Sequence, residues 1–108
     1  MLKHSLTAVL TLAVLTIAPA AFAGGGPDVA PIYKSKCATC HGPDGAGQTT
    51  MGKNLKLRDL RSAAVQKLTD AELTKIISDG KGKMPAYKAK LAAGDVEALV
   101  GFIRGLKK

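Results

Sequence analysis

The chain has 108 residues, is 46% hydrophobic, and carries 16 Lys+Arg against 8 Asp+Glu, a formal net charge of +8. Its length allows one small domain, and two cysteines are too few for a disulfide-dense scaffold. A basic balance points to acidic partners, a membrane surface or nucleic acid.

The first residues fix the expected compartment. Lys3 supplies a short positive start, Leu6 to Ile17 is an apolar run, Pro19 breaks it, and Ala21-Phe22-Ala23 is a small-x-small cleavage signal. This pattern reads as a cleaved secretory leader over residues 1–23, of bacterial form, which directs the chain to the periplasm. The apolar run is shorter than the ~20 residues that span a bilayer, so no stable membrane insertion is expected once the leader is removed. Export also argues against nucleic acid as a partner.

Residues 24–108 then form the domain. They hold sixteen Val, Ile and Leu and three aromatics, Tyr33, Tyr87 and Phe102. A core this thin asks for help from a disulfide, a metal or a cofactor. A bridge between cysteines three apart would close almost no loop, so a cofactor is the better way to complete the core.

In chain order, Asp28 is placed to cap a first helix running from Val29 through Cys40, with Val29, Ile32, Tyr33 and Cys37 on one face. Pro31 is tolerated in its first turn. Residues 42–54 hold four glycines and a proline and read as a loop that wraps something. Residues 55–65 fit a short helix after an irregular start. Thr69 and Glu72 form a capping box, with Leu68 and Leu73 as its staple, and Gly80 ends that helix. Residues 80–91 form a second loop, with Met84 before Pro85. From Ala92 to Leu106 a stripe of Val96, Leu99, Val100, Ile103 and Leu106 predicts the last helix, with Phe102 beside it. Gly101 in mid-helix suggests close packing on another helix. No strand alternation is visible, so the fold class is all-α.

Cys37, Cys40 and His41 lie within five positions, and the other histidine, His4, is in the leader. Thiol–disulfide exchange would use such a C-x-x-C, but beside a βαβ pattern that this chain lacks. A structural zinc needs four ligands, and only three are present. C-x-x-C-H is the attachment signature of a c-type haem. Cysteines three apart on a helical turn face the same way, so both sulfurs reach the vinyl groups of one porphyrin, and the next histidine lies over the iron. One haem c per chain, held by Cys37 and Cys40 and ligated by His41, is the expected cofactor. With His4 removed, the sixth ligand is Met84, Met51, a lysine or none. Met84 is favoured, because its loop of Gly and Lys gives a core-filling methionine little to fill and lies far enough along the chain to approach from the opposite side. A closed His/Met site moves electrons. A displaceable sixth ligand would instead suit a haem enzyme or ligand sensor.

With these residues in place the chain resembles the small single-haem bacterial cytochromes c of the His/Met-ligated class. The likeness covers essentially all of residues 24–108 and rests on CATCHG (37–42), GKGKMPAY (80–87) and DVEALVGFIRGL (95–106). It implies N- and C-terminal helices crossing around one covalently bound haem, Tyr33 packed on Phe102, and an exposed haem edge ringed by charge. It implies a soluble electron carrier rather than an enzyme, acting as a monomer on redox proteins. Lys81, Lys83, Lys88 and Lys90 are the expected docking bases for acidic partner surfaces. Arg58, Lys53 and Tyr87 are candidates for the haem propionates. The chain departs from the family in two places. GKNL (52–55) has Lys53 where a proline carbonyl usually holds the histidine's second nitrogen, an acceptor role the Lys53 backbone could still fill. Val29 stands where the first helix usually has glycine, a function Gly101 could take over.

Overall fold

The computed structural model describes residues 12–16 and 28–106. Residues 12–16 have no regular structure and are exposed; the rest of the expected leader, its cleavage site and His4 lie outside the described residues. No helix among the described residues is long and apolar enough to cross a membrane.

Six helices follow in order: α1 (Val29–Lys36), α2 (Ala38–His41), α3 (Thr50–Asn54), α4 (Ala63–Gln66), α5 (Asp70–Asp79) and α6 (Ala93–Gly105). Among the described residues there is no strand, only an isolated bridge between Lys81 and Met84. The all-α expectation holds.

The apolar stripe of α6 sets the arrangement. Val96, Leu99, Val100 and Ile103 are buried, and both α1 and α5 pack on this helix. Tyr33 from α1 meets Phe102 with ring centroids 4.5 Å apart, as the family likeness implies. Leu73 and Ile77 of α5 and Val65 of α4 complete the buried cluster. The capping box of α5 forms as expected, Thr69 Oγ1 accepting from the Glu72 N–H and Glu72 accepting from the Thr69 N–H.

A polar clamp joins α6 to the α4–α5 connection. The Arg104 guanidinium donates to the Asp70 carboxylate at 2.9 and 3.0 Å, to the Gln66 carbonyl at 2.9 Å, and to the Leu68 carbonyl. The Gln66 amide donates to the carbonyls of Leu60 and Ile103 at 2.9 and 3.0 Å. These contacts satisfy backbone oxygens that a chain of short helices would otherwise leave unpaired.

Four sequence expectations need correction. The first helix is not continuous: it stops at Lys36 and restarts at Ala38, with Cys37 at the break. Asp28 occupies the N-cap position without a side-chain capping bond. Residues 42–54 are not all loop, because Thr49 caps the short α3 through the Gly52 N–H at 2.9 Å. Gly101 mediates no close helix crossing: it is exposed, and a Cβ there would meet nothing within 4 Å.

Candidate haem site

The C-x-x-C-H segment is held from several sides by backbone bonds. The Cys40 and His41 N–H groups turn back to the Cys37 carbonyl at 3.2 and 2.9 Å. Tyr33 Oη donates to the carbonyl of Gly42, directly after His41, at 2.7 Å. Burial, then the nearby Cys37 and Asp44, push the Tyr33 phenol up to about 12. From the other side the Gly47 N–H donates to the His41 carbonyl at 2.7 Å, and Thr49 Oγ1 donates to the Cys40 carbonyl at 2.6 Å. Gly52 is buried against this segment, where a Cβ would lie 2.6 Å from the Cys40 carbonyl oxygen and collide with the Gly47 carbonyl. The glycine loop therefore does wrap the motif. Thr49 and Gly52 are the site-building residues that sequence reading passed over; a Thr three residues before the glycine, immediately ahead of TMGKN, was the available sign of a helix cap.

The Met84 side is equally defined. Gly80 ends α5 at φ +77°, and a Cβ on it would come within 2.5 Å of the Met84 carbonyl oxygen. Lys81 and Met84 exchange backbone bonds at 3.2 and 3.0 Å across a tight turn. Two further bonds tie the loop to α5, from the Tyr87 N–H to the Ile77 carbonyl and from the Lys88 N–H to the Ser78 carbonyl, at 3.0 and 3.1 Å.

Between these two segments lies a cavity of about 510 Å³, a volume in the range of small-molecule and cofactor pockets, about 300–1,000 Å³. His41 and Met84 both line it, together with Cys37, Tyr33 and apolar side chains of α4, α5 and α6, Leu73, Ile77, Leu99 and Ile103 among them. The helices thus enclose a space instead of closing on one another. Cys40 is half-buried and is not on the wall, and Met51 is 47% exposed and also away from it. Lys56, Arg58, Lys81 and Lys83 are at the cavity, with no Asp or Glu among its lining residues. Of the candidate propionate partners, Arg58 and Tyr87 line the cavity and Lys53 does not. Lys56 joins them, from a left-handed conformation at φ 54°.

The donor set suits haem. Burial depresses the basicity of His41, which keeps its imidazole neutral and its lone pair available to a metal. Burial, then the neighbouring Cys40, push the Cys37 thiol up. A raised thiol is a poor nucleophile, so the environment does not suit thiol–disulfide exchange. The expected support of His41 by a backbone carbonyl is absent: Nδ1 is buried and has no hydrogen-bond partner. The Lys53 carbonyl instead accepts from the amides that close α3, those of Leu55 and Lys56. The Lys53 N–H donates to the Thr49 carbonyl at 2.9 Å, a bond that proline could not make. α3 therefore runs through the position where the family usually has proline.

An all-α domain built round an apolar cavity, with a C-x-x-C-H motif at one wall and a methionine at another, defines a c-type cytochrome. The comparisons agree. Residues 26–103 match the family described as cytochrome C oxidase, cbb3-type, subunit III. The chain is 33% identical to cytochrome c6 of Microcystis aeruginosa over 76 residues, covering 70% of this chain and 90% of that one. It is 31% identical to cytochrome c6 of Leptolyngbya boryana over 72 residues, covering 67% and 81%. Among solved structures, the KustC0563 c-type cytochrome is 37% identical with a TM-score of 0.71, covering 76% of this chain and all of its own. The chain belongs to this cytochrome c family and is a small class I cytochrome c. Its cofactor is covalently bound haem c, and it is an electron-carrying haem protein that works with redox partners.

Proposed function

We propose that the chain is an exported, periplasmic single-electron carrier and not an enzyme, in which Cys37 and Cys40 would bond haem c and His41 and Met84 would ligate its iron. The observation that carries this reading is the presence of His41 and Met84 on the wall of one apolar cavity. The haem, when bound, supplies a reversible one-electron couple. His41 presents a neutral imidazole, and the Met84 thioether favours the reduced metal and raises the potential. With both ligands in place no position is left for a substrate. Leu73, Ile77, Leu99 and Ile103 keep water from the cavity wall they form.

The leader spans residues 1–23 and the working domain residues 24–108, and the domain acts as a monomer. Lys81, Lys83, Lys88 and Lys90 are all exposed. Lys81 and Lys83 stand at the cavity, where they face an acidic partner surface as it approaches. Lys88 shares its charge with Asp79 at 3.7 Å, and Lys90 Nζ lies 5.6 Å from the centre of the Tyr87 ring. Lys81 and Lys83 are therefore the freer docking bases.

Carbon monoxide distinguishes a carrier from a haem enzyme or sensor. Reduced wild-type protein is expected not to bind it at neutral pH, and Met84→Ala is expected to bind it. Ready binding by the wild type would overturn the closed-site reading.

A further inference from the structure

Met84 sits in a segment, residues 80–91, whose backbone ties run to α5. The Tyr87 and Lys88 amides donate to Ile77 and Ser78 at 3.0 and 3.1 Å and fix where the segment leaves that helix. They do not fix how close it stays to the C-x-x-C-H segment. A separate bond runs in that direction. Tyr87 Oη donates to the Lys36 carbonyl at 3.0 Å, across 51 positions of sequence. Lys36 is the last residue of α1 and directly precedes Cys37. Its carbonyl would ordinarily accept from the amide four residues on, but that amide, Cys40 N–H, turns to Cys37 at 3.2 Å. The break in the helix at Cys37 thus exposes an acceptor, and a side chain from the Met84 segment takes it. The Tyr87 side chain is half-buried, lines the cavity, and has Lys90 Nζ over its ring.

We propose that Tyr87 is a positioning residue for Met84: its hydroxyl, bonded to the Lys36 carbonyl, holds the methionine segment against the start of the haem-attachment motif and so sets how readily the thioether leaves the iron. This rests on the reading of Met84 as the sixth ligand. Met84 lies three residues from Tyr87 on one short stretch of backbone, so displacing the methionine pulls on the tyrosine and its tie to Lys36. Breaking the Tyr87–Lys36 bond belongs to the cost of that motion. Phenylalanine keeps the ring on the cavity wall and removes only the tie.

The test is titration of ferric, haem-loaded protein with imidazole, a ligand that competes with the thioether, while the weak far-red band of methionine-bound ferric haem is followed. Wild type, Tyr87→Phe and Arg104→Gln are compared at neutral pH. Tyr87→Phe is expected to keep the far-red band and to bind imidazole roughly fivefold more tightly, which is about 1 kcal/mol at 1.4 kcal/mol per tenfold. Arg104→Gln loosens the clamp on Asp70, Gln66 and Leu68, and is expected to melt earlier with unchanged imidazole affinity. Wild-type affinity in Tyr87→Phe overturns the proposal, as does equal tightening in both variants, which would mark a general loosening. A wild type without the far-red band overturns the Met84 reading itself, and the proposal with it.

Discussion

Tyr33 Oη donates to the Gly42 carbonyl oxygen at 2.7 Å, a buried bond that closes the C-x-x-C-H segment back onto α1. At the other end of the motif Tyr87 Oη, from the Met84 segment, donates to the Lys36 carbonyl at 3.0 Å in an exposed bond. The chain's two tyrosines therefore bracket its five-residue haem signature, one before Cys37 and one after His41. Both bonds use carbonyls that the broken helix and the glycine turn leave without helical partners.

Tyr33 makes stability depend on alkaline pH. Its folded-state pKa lies near 12 against an ordinary 10.0, with burial as the first cause. A folded value above the unfolded one means that its stabilisation is complete below pH 10 and is lost as pH rises through about 12. The loss should approach about 2 kcal/mol in haem-loaded protein, where burial persists and the Cys37 thiolate is gone. Denaturant melts at pH 8 and pH 11.5 should show Tyr33→Phe less stable than wild type at the lower pH, with the gap narrowed at the higher. A constant gap would contradict this role.

Gly52→Ala should be costly out of proportion to one methyl group. The added Cβ meets backbone oxygens of Gly47 and Cys40, neither of which can swing away as a flexible side chain would. Overpacking of this kind costs about 1–3 kcal/mol. The same displacement moves Thr49 Oγ1 off the Cys40 carbonyl. Thermal melts of the haem-loaded variant should show a clearly lower Tm and, in expression, a smaller yield of haem-attached chain. Gly94→Ala, which faces open space, is the control and should change little.

Lys56→Gly should stabilise the protein. Lys56 follows the α3 C-cap at φ 54°, its N–H donating to Lys53 at 3.2 Å and the Leu57 N–H to Gly52 at 2.9 Å. This is the left-handed helix stop that glycine fills without steric cost. A lysine there carries a penalty of about 1 kcal/mol, which glycine removes, less a smaller loss from its greater freedom in the unfolded chain. A net gain of a few tenths to about 1 kcal/mol by denaturant melt is expected. A loss would mean that the Lys56 side chain has an attractive role at the cavity greater than its backbone strain.

Docking through Lys81 and Lys83 should be visible in rate against salt. Exposed charges are screened over about 8–10 Å at ordinary ionic strength. Electron transfer to an acidic redox partner should therefore slow as salt rises, and the slope should flatten in a Lys81→Gln, Lys83→Gln double variant. Replacing Lys88, already facing Asp79, should flatten it less. A rate independent of salt would remove these lysines from docking.

The features legible in the sequence were those written in local periodicity or in one short motif. The capping box at Thr69 and Glu72 and the stripe of α6 appear where the pattern places them, and the Tyr33–Phe102 pair appears where the family likeness places it. His41 and Met84, 43 positions apart in the sequence, both line one cavity. What escaped depends on three-dimensional neighbours. α3 is five residues long with a glycine at its centre, and its propensity says little; its place is fixed by Thr49 and Gly52 against the Cys40 carbonyl. Gly101 reads as a packing glycine, yet whether a helix lies over it is a matter of rotation about α6, which one residue does not encode. The Lys53 carbonyl was a reasonable acceptor for His41 until α3 claimed it, which leaves Nδ1 unpaired.

A haem c bonded to Cys37 and Cys40 and closed by His41 and Met84 is the core of the proposed function. The most direct test is the visible spectrum of purified, haem-loaded chain, taken before and after acid-organic extraction and extended into the far red. A haem held in this way requires colour that stays with the protein through extraction and a weak far-red band in the ferric state that disappears in Met84→Ala. Colour that extracts would contradict the thioether bonds, and a far-red band that survives Met84→Ala would contradict Met84 as the ligand.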